Sequence, residues 1–380
     1  MKIACIGGRG IVGKYSGVES FYEEAGKRLA LKGHKITAYC RNYFTPNGPS
    51  FAEIRVVRLP TVRTKHLETF VHTLLSTLHA CFSDFDIVHY HTLGPSLFSF
   101  VPRLFGKKTV VTVQGLDWQR RKWSWFARIV LKVGEWASVH FPNQTIVVSR
   151  TLEEYYRQRY HKPVAYIPNG TVVRPQYAGS ALRRFGLNAK NYVLFMGRLS
   201  PEKNCDLLIE AFEQIETPMK LVFAGGSSHT DEYVSALRSH ESDRIRFLGW
   251  LAGNDLEEVL TNAALFVLPS DMEGLSLALL DAMGAGLCVL ASDVPENCEV
   301  IADAGFTFSR GDLIHLCQML AMLLSDAKVR ETAGRRARER VLGNYLWDWV
   351  TTELEQVYSE VSSAKRRRDA TLAKVHKKAA

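Results

Sequence analysis

Two cations stand five residues apart in Gly197-Arg198-Leu199-Ser200-Pro201-Glu202-Lys203-Asn204, and a carboxylate sits beside a glycine in Glu273-Gly274-Leu275-Ser276. The first segment follows an apolar run at 192–196 and turns toward a helix. The second enters the apolar stretch 277–283, which carries another carboxylate, Asp281, in its interior. Cations and free amides at a helix start suit phosphate, and spaced carboxylates suit hydroxyls. Together the two segments could hold the diphosphate and the hydroxyls of a nucleotide sugar.

Such segments need elements to place them. Short β-rich apolar runs alternate with helical stretches along the whole chain, the pattern of βαβ units and parallel sheets. Strands are expected near 2–6, 35–39, 54–58, 86–90, 109–113 and 144–148, then near 192–196, 219–224, 244–248, 265–268, 287–291 and 305–308. Each half opens with a strand running into a glycine-containing turn and a helix, so the chain reads as two Rossmann-like α/β domains in tandem. The boundary falls at Ile167-Pro168-Asn169-Gly170, a turn-forming cluster. The expected division is an N-terminal, acceptor-side domain over 1–168 and a C-terminal, nucleotide-sugar domain over 169–345. A helix over 346–362 could return to the first domain, ahead of a basic, disordered tail over 363–380. Helical periodicity covers 328–361. Two such domains facing each other would set the carboxyl ends of both sheets around one cleft, where ligands of these sheets bind.

Length and composition agree. A chain of 380 residues suits two cores, and 46% apolar with 23% charged residues is ordinary for a globular protein. No apolar run approaches the roughly 20 residues that span a bilayer, and the N-terminus reads as a buried strand rather than a signal peptide. Seven scattered cysteines without a Cys-x-x-Cys pair indicate neither a disulfide framework nor a zinc site, and fit a reducing cytoplasm. The formal charge of +9 is uneven: residues 365–380 hold seven Lys and Arg against Asp369, a net +6, leaving +3 on the body. The body is not basic enough for a nucleic-acid protein, whereas the tail would suit either nucleic acid or an anionic membrane surface.

Gly8-Arg9-Gly10-Ile11-Val12-Gly13 satisfies the dinucleotide pattern Gly-x-Gly-x-x-Gly after a strand. Tyr39-Cys40-Arg41, ending the second strand, offers no carboxylate for a ribose 2′-hydroxyl, and the helix does not open at Gly13. An NAD(P) oxidoreductase is therefore disfavoured. Gly17, just ahead of a helix beginning near Val18, would instead offer amides to an anion.

At these residues a family becomes recognisable. The segments 197–204 and 273–281 resemble the donor site of glycosyltransferase family 4, retaining enzymes of the GT-B fold, and the resemblance covers essentially the whole chain. Gly17-Val18-Glu19, Leu78-His79-Ala80, Pro102 to Lys108 and Gly115-Leu116-Asp117-Trp118 resemble a bacterial subgroup that includes rhamnosyltransferases of surface-polysaccharide assembly. The resemblance implies that Arg198 and Lys203 clamp the donor diphosphate and that Gly274, Leu275 and Ser276 present helix amides to it. It implies that Glu273 holds hydroxyls of the donor sugar and that Asp281, where the family usually has Glu, grips the ribose. Backbone near Trp250 and Leu251 would meet the base. Gln114 stands where many members carry a histidine facing the sugar; an amide can hydrogen-bond but cannot act as a base at neutral pH. His91 and Asp117 could orient the acceptor, with Trp118 beside them. No metal or cofactor is expected, because cations and amides would neutralise the diphosphate.

Residues 118–136 hold four of the seven tryptophans beside a cluster of cations, a composition suited to a bilayer interface. The expectation is a cytoplasmic, retaining glycosyltransferase at the inner face of the plasma membrane. It would use a nucleoside-diphosphate sugar and a lipid-linked or oligosaccharide acceptor, with rhamnose a candidate sugar. The alternatives are a nucleotide-sugar epimerase of the same fold, for which Gln114 offers no acid or base, and a non-catalytic nucleotide-sugar-binding protein.

Overall fold

The computed structural model describes residues 1–380 except 12–16, 46–49, 52, 65–66, 121–122, 228–229 and 379–380, with backbone alone at 50 and 364–378. The chain forms two compact units: Met1–Asn169 with Trp347–Ala380, and Gly170–Leu346.

The first unit is built on β1 (Lys2–Ile6), β2 (Lys35–Arg41), β3 (Ser50–Phe51), β4 (Ile54–Leu59), β5 (Ile87–His91), β6 (Lys108–Val113), β7 (Gln144–Val147) and β8 (Ala165–Tyr166). They make one sheet in the order β3-β4-β2-β1-β5-β6-β7-β8, parallel throughout except for β3 against β4. The second unit holds β9 (Tyr192–Met196), β10 (Lys220–Ala224), β11 (Ile245–Gly249), β12 (Leu265–Leu268), β13 (Cys288–Ser292) and β14 (Phe306–Phe308), all parallel, in the order β11-β10-β9-β12-β13-β14. The twelve expected strands are present within one or two residues at each end. Two more, β3 and β8, are two residues long, too short for periodicity to reveal.

Strand order explains where a ligand can sit. Both sheets run outward from their first strand in two directions, so the chain reverses its sense of winding between β1 and β5 and again between β9 and β12. At such a switch point neighbouring loops diverge and leave a crevice at the carboxyl ends. The central strands are buried on both faces, as a sheet covered by helices on both sides requires: β5, β9 and β12 are almost wholly apolar or enclosed.

The backbones crowd at these ends. Gly7 follows β1 at φ +125°, and a Cβ there would meet the His91 carbonyl oxygen at 2.5 Å. Gly225 follows β10 at φ +154°, where a Cβ would run into the Gly197 carbonyl. Only glycine tolerates both the dihedral and the approach.

The helical stretch expected over 328–361 comprises two helices, Ala327–Asn344 and Trp347–Lys378. The break falls where Thr171 N–H donates to the Tyr345 carbonyl at 2.7 Å and Thr171 bridges Leu346, tying the end of the second unit to its beginning. The second of these helices completes the first unit. Trp347 meets Phe21 edge-on at 6.0 Å, and the Tyr358 hydroxyl lies 2.7 Å from His89 Nδ1 beneath the sheet. Arg28 pairs with Asp348, and Lys32 with Glu355, both at 2.8 Å. Its backbone stays helical through Lys378, in a stretch rich in alanine, lysine and arginine, strong helix formers. The tail side chains lie outside the described residues. Among the described residues no helix is long and apolar enough to cross a membrane.

Candidate active site

The loop after β9 and the loop after β12 flank the switch point of the second unit, and they carry the two motifs. Gly197 N–H donates to the Ala224 carbonyl at 3.0 Å, and Leu199 N–H to the Gly226 carbonyl at 2.9 Å, so the first loop lies along the neighbouring one. The 3-10 turn Pro201–Lys203 ends at Asn204, whose backbone is left-handed at φ +48°. The Asn204 side chain donates to Asp271 at 2.7 Å and to the Pro269 carbonyl at 3.2 Å, and Asp271 N–H donates to the Glu202 carbonyl at 2.9 Å. These bonds tie the two loops together. They bring Lys203 and Glu273 into contact as an ion pair, with side chains only 13% and 9% exposed. Arg198 lies on the same loop, five residues before Lys203.

Ser276 caps the helix Leu277–Gly284, its Oγ accepting from Leu279 N–H. Gly274, Leu275 and Ser276 thus form the turn entering that helix, with Leu275 buried. Inside the helix, Asp281 already has partners: the Thr171 hydroxyl donates to Oδ1 at 2.6 Å and Arg174 pairs with it at 3.0 Å. Arg174 also reaches Glu257 at 3.1 Å and is itself buried. The burial cost of Asp281 is thereby met inside the protein, and its carboxylate comes to any ligand already engaged. The Trp250 indole is half exposed after β11 and packs against Gly226, where a Cβ would meet its Nε1 at 2.6 Å. Leu251 follows it, partly exposed.

A second carboxylate shares the surroundings of Glu273. Glu296 opens the helix Pro295–Ile301, and burial, reinforced by the negative charges of Glu273 and Glu299, pushes its pKa up to about 7. Beneath it the Asn297 amide donates to the Ser292 carbonyl at 3.1 Å, while Asn297 Oδ1, Ser270 Oγ and Ser200 Oγ are buried without protein partners. Sequence reasoning missed Glu296, Arg174 and Thr171. None carries a periodic or motif signal, because each acts through a long-range contact.

In the first unit the candidates separate. Gln114 follows β6, and its Oε1 accepts from Asn169 Nδ2 at 3.0 Å, leaving Nε2 buried and unpartnered. Its free hydrogen-bonding capacity is a donor. Gly17 is the first residue of the helix Gly17–Leu31; the loop before it lies outside the described residues. Asp117 pairs with Arg120 at 3.2 Å in the turn Asp117–Gln119. Trp118 donates through Nε1 to Glu135 at 2.6 Å, with the Lys132 ammonium over its ring. Glu135 is fully buried and also accepts from the Tyr155 and Tyr160 hydroxyls at 2.9 and 2.6 Å. Trp118 is therefore anchored to its own unit. His91, expected to help orient an acceptor, is wholly buried among Phe21, Tyr22 and His89, with neither ring nitrogen partnered. Burial, and then the neighbouring His89, hold it neutral. It does not reach the surface. Among the described residues no three metal-ligating side chains are grouped.

Residues 15–173 match the family model described as Glycosyltransferase Family 4, and residues 183–340 match that described as Glycosyl transferases group 1. The chain is 30% identical over 199 residues to an O-antigen chain mannosyltransferase B of Escherichia coli, a match covering 51% of each protein. It is 23% identical over 377 residues, 94% of each, to an N-acetyl-alpha-D-glucosaminyl L-malate synthase of Bacillus anthracis. Apart from that second relative, the match spans about half the length or less of the curated relatives compared. The structure of a sucrose-phosphate synthase from Thermosynechococcus elongatus superposes with a TM-score of 0.81 at 23% identity, covering 96% of this chain and 99% of that one.

Proposed function

We propose that this chain, a glycosyltransferase of the GT-B fold with a family 4 N-terminal domain and a group 1 C-terminal domain, moves a sugar from a nucleoside-diphosphate donor to a saccharide acceptor with retention of configuration. The observation that carries the reading is the Lys203–Glu273 pair at the switch point of the second sheet, with Arg198 on the same loop. A cation for the diphosphate and a carboxylate for the sugar hydroxyls are fixed side by side before any ligand arrives. Little reorganisation is then needed when charge develops on the leaving phosphate.

In this reading Arg198, Lys203 and the amides of 274–276 take the growing negative charge, and Glu273 fixes the sugar. Asp281, steadied by Arg174 and Thr171, meets the ribose, and Trp250 with Leu251 meets the base. Gln114, held by Asn169, turns its amide N–H toward the sugar or acceptor and takes no proton. The leaving phosphate would assist deprotonation of the acceptor on the same face. The acceptor is a lipid-linked saccharide of surface-polysaccharide assembly, reached at the inner face of the plasma membrane. The exposed Trp125 and Phe126 of the helix Trp125–His140 meet lipid there, beside Arg128 and Lys132. The relatedness to an O-antigen chain mannosyltransferase supports surface-polysaccharide assembly and sets a mannose donor beside a rhamnose one.

Nucleoside-diphosphate release should be measured with dTDP-rhamnose, GDP-mannose, UDP-sugars and ADP-glucose, with and without bacterial lipid extract. One donor should turn over, faster with lipid, and give a product of the donor's own anomeric configuration. Inversion of configuration would exclude the retaining mechanism, and failure to bind any donor would exclude the transferase reading.

A further inference from the structure

The helix Leu67–Cys81 is inside out. Its buried positions are largely polar: Glu68, His72, Thr73, Ser76 and Thr77 face the sheet with Ala80 and Cys81. They are held there by polar contacts. Glu68 pairs with Arg41 at 2.9 Å, and the Thr77 and Tyr90 hydroxyls lie 3.0 Å apart. The apolar residues point outward. Leu67, Phe70, Leu74 and Leu78, spaced three, four and four apart, are each more than a third exposed, and Phe82 extends the row at 79% exposure. A soluble surface helix has the reverse pattern.

Neighbouring elements continue the row. The Phe82 ring meets Phe105 edge-on at 5.3 Å, beside Leu104, 76% exposed, and Phe70 meets Phe98 edge-on at 5.2 Å. The charges around it are mostly positive. Among the described residues of 60–82 and 93–108, the charged or imidazole side chains reaching the surface are Arg63, His79, Arg103, Lys107 and Lys108, and the acid, Glu68, is buried against Arg41. Beside Phe82 two exposed acids also stand, Asp84 paired with the Lys2 ammonium and Asp86 accepting from the Lys2 backbone N–H.

The geometry points to a second membrane-docking face on the first unit: the outward row of the helix Leu67–Cys81, with Phe82, Leu104 and Phe105, enters the headgroup region of an anionic bilayer. A contiguous apolar row bordered by more cations than acids fits a surface that is apolar at depth and anionic at its rim. The inference deepens the membrane reading above, which rests on the tryptophan-bearing helix, but it stands on different residues.

The test is flotation of the full-length protein with phosphatidylcholine vesicles containing 30% phosphatidylglycerol, alongside pure phosphatidylcholine. The wild type should float with the anionic vesicles and lose most of that binding with neutral ones. Leu74→Glu with Leu78→Glu should lower partitioning tenfold or more, with an unchanged or higher melting temperature, because the replaced residues face water in the free protein. The pair Trp125→Glu with Phe126→Glu probes the other helix. Binding of the Leu74/Leu78 variant at the wild-type level overturns the proposal; if the Trp125/Phe126 variant alone is lost, the first membrane reading survives without it. No flotation of the wild type sinks both. Sedimentation velocity covers the remaining occupant: a wild-type dimer that Leu74→Glu with Leu78→Glu converts to monomer would assign the face to a second copy of the chain and overturn the proposal. Nucleoside-diphosphate release measured without vesicles reports the transferase reading separately, and the Leu74/Leu78 variant should retain it.

Discussion

Lys203 and Glu273 are a largely buried pair, and removing one partner strands the other. Lys203→Met is expected to cost roughly 3 kcal/mol of stability, because the largely buried Glu273 loses the cation it is paired with. Lys203→Met combined with Glu273→Gln should recover most of that stability in urea unfolding and none of the transfer activity. Equal losses in the single and double variants would show that the cost is not that of a stranded Glu273 charge. Glu296 titrates at the same site with the opposite sign from a paired carboxylate. Its folded pKa of about 7 lies above the ordinary carboxylate value, so the folded state holds the extra proton between about 4.5 and 7. The stability this supplies is present at low pH and is lost as pH rises through 7. Glu296→Gln should therefore match the wild type near pH 5 and exceed it at pH 8, by about 1–2 kcal/mol once partial solvent screening is allowed for. Parallel pH profiles for the two proteins would contradict this assignment.

At the scale of elements, sequence and structure part where contacts are long-range. The strands were legible because each is an apolar run between turn residues, and the loops that carry Arg198, Lys203 and Glu273 were legible because strand, glycine and helix fix their place. The inner face of the helix Leu67–Cys81 was not, since its hydrophobic period is regular whichever side faces the core. His91 was misread for a similar reason: a polar residue closing a strand looks the same in sequence whether it opens to solvent or is roofed by Phe21 and Tyr22. Asp281, which the resemblance assigns to the ribose, already has a partner in Arg174, 107 residues earlier in the chain. The helix Trp347–Lys378 shows the energetic side of such contacts. Tyr358 is completely buried and bonded to His89. Tyr358→Phe should cost about 1 kcal/mol for the lost hydrogen bond. Tyr358→Ala should cost roughly 3–5 kcal/mol, because a cavity is added. A Tyr358→Ala protein as stable as the wild type would show that this helix is not part of the first unit's core.

For the whole molecule, the two sheets share one winding but use their switch points differently. In the second unit the loops there carry Arg198, Lys203 and Glu273; in the first, the strand end is filled by the buried ring of His91. Buried imidazoles are concentrated in the first unit: burial holds His72 at about 4 and His89 at about 3, and lowers His91 well below its ordinary value. A depressed imidazole supplies stability above its unfolded pKa, near 6.5, that is lost as pH falls through the folded value. Calorimetry from pH 7 to pH 4 should therefore show the first unit losing stability. The second unit should change less, and a first unit indifferent to acid would contradict the burial of these rings.

The most direct test of the account is nucleoside-diphosphate release by the wild type, Arg198→Ala and Glu273→Gln with the donor that the wild type uses. Arg198→Ala and Glu273→Gln should each lower kcat/KM by a hundredfold or more, about 3 kcal/mol of transition-state stabilisation, in folded proteins. Turnover at the wild-type rate in either variant would place the chemistry elsewhere in the molecule and contradict the assignment of the site.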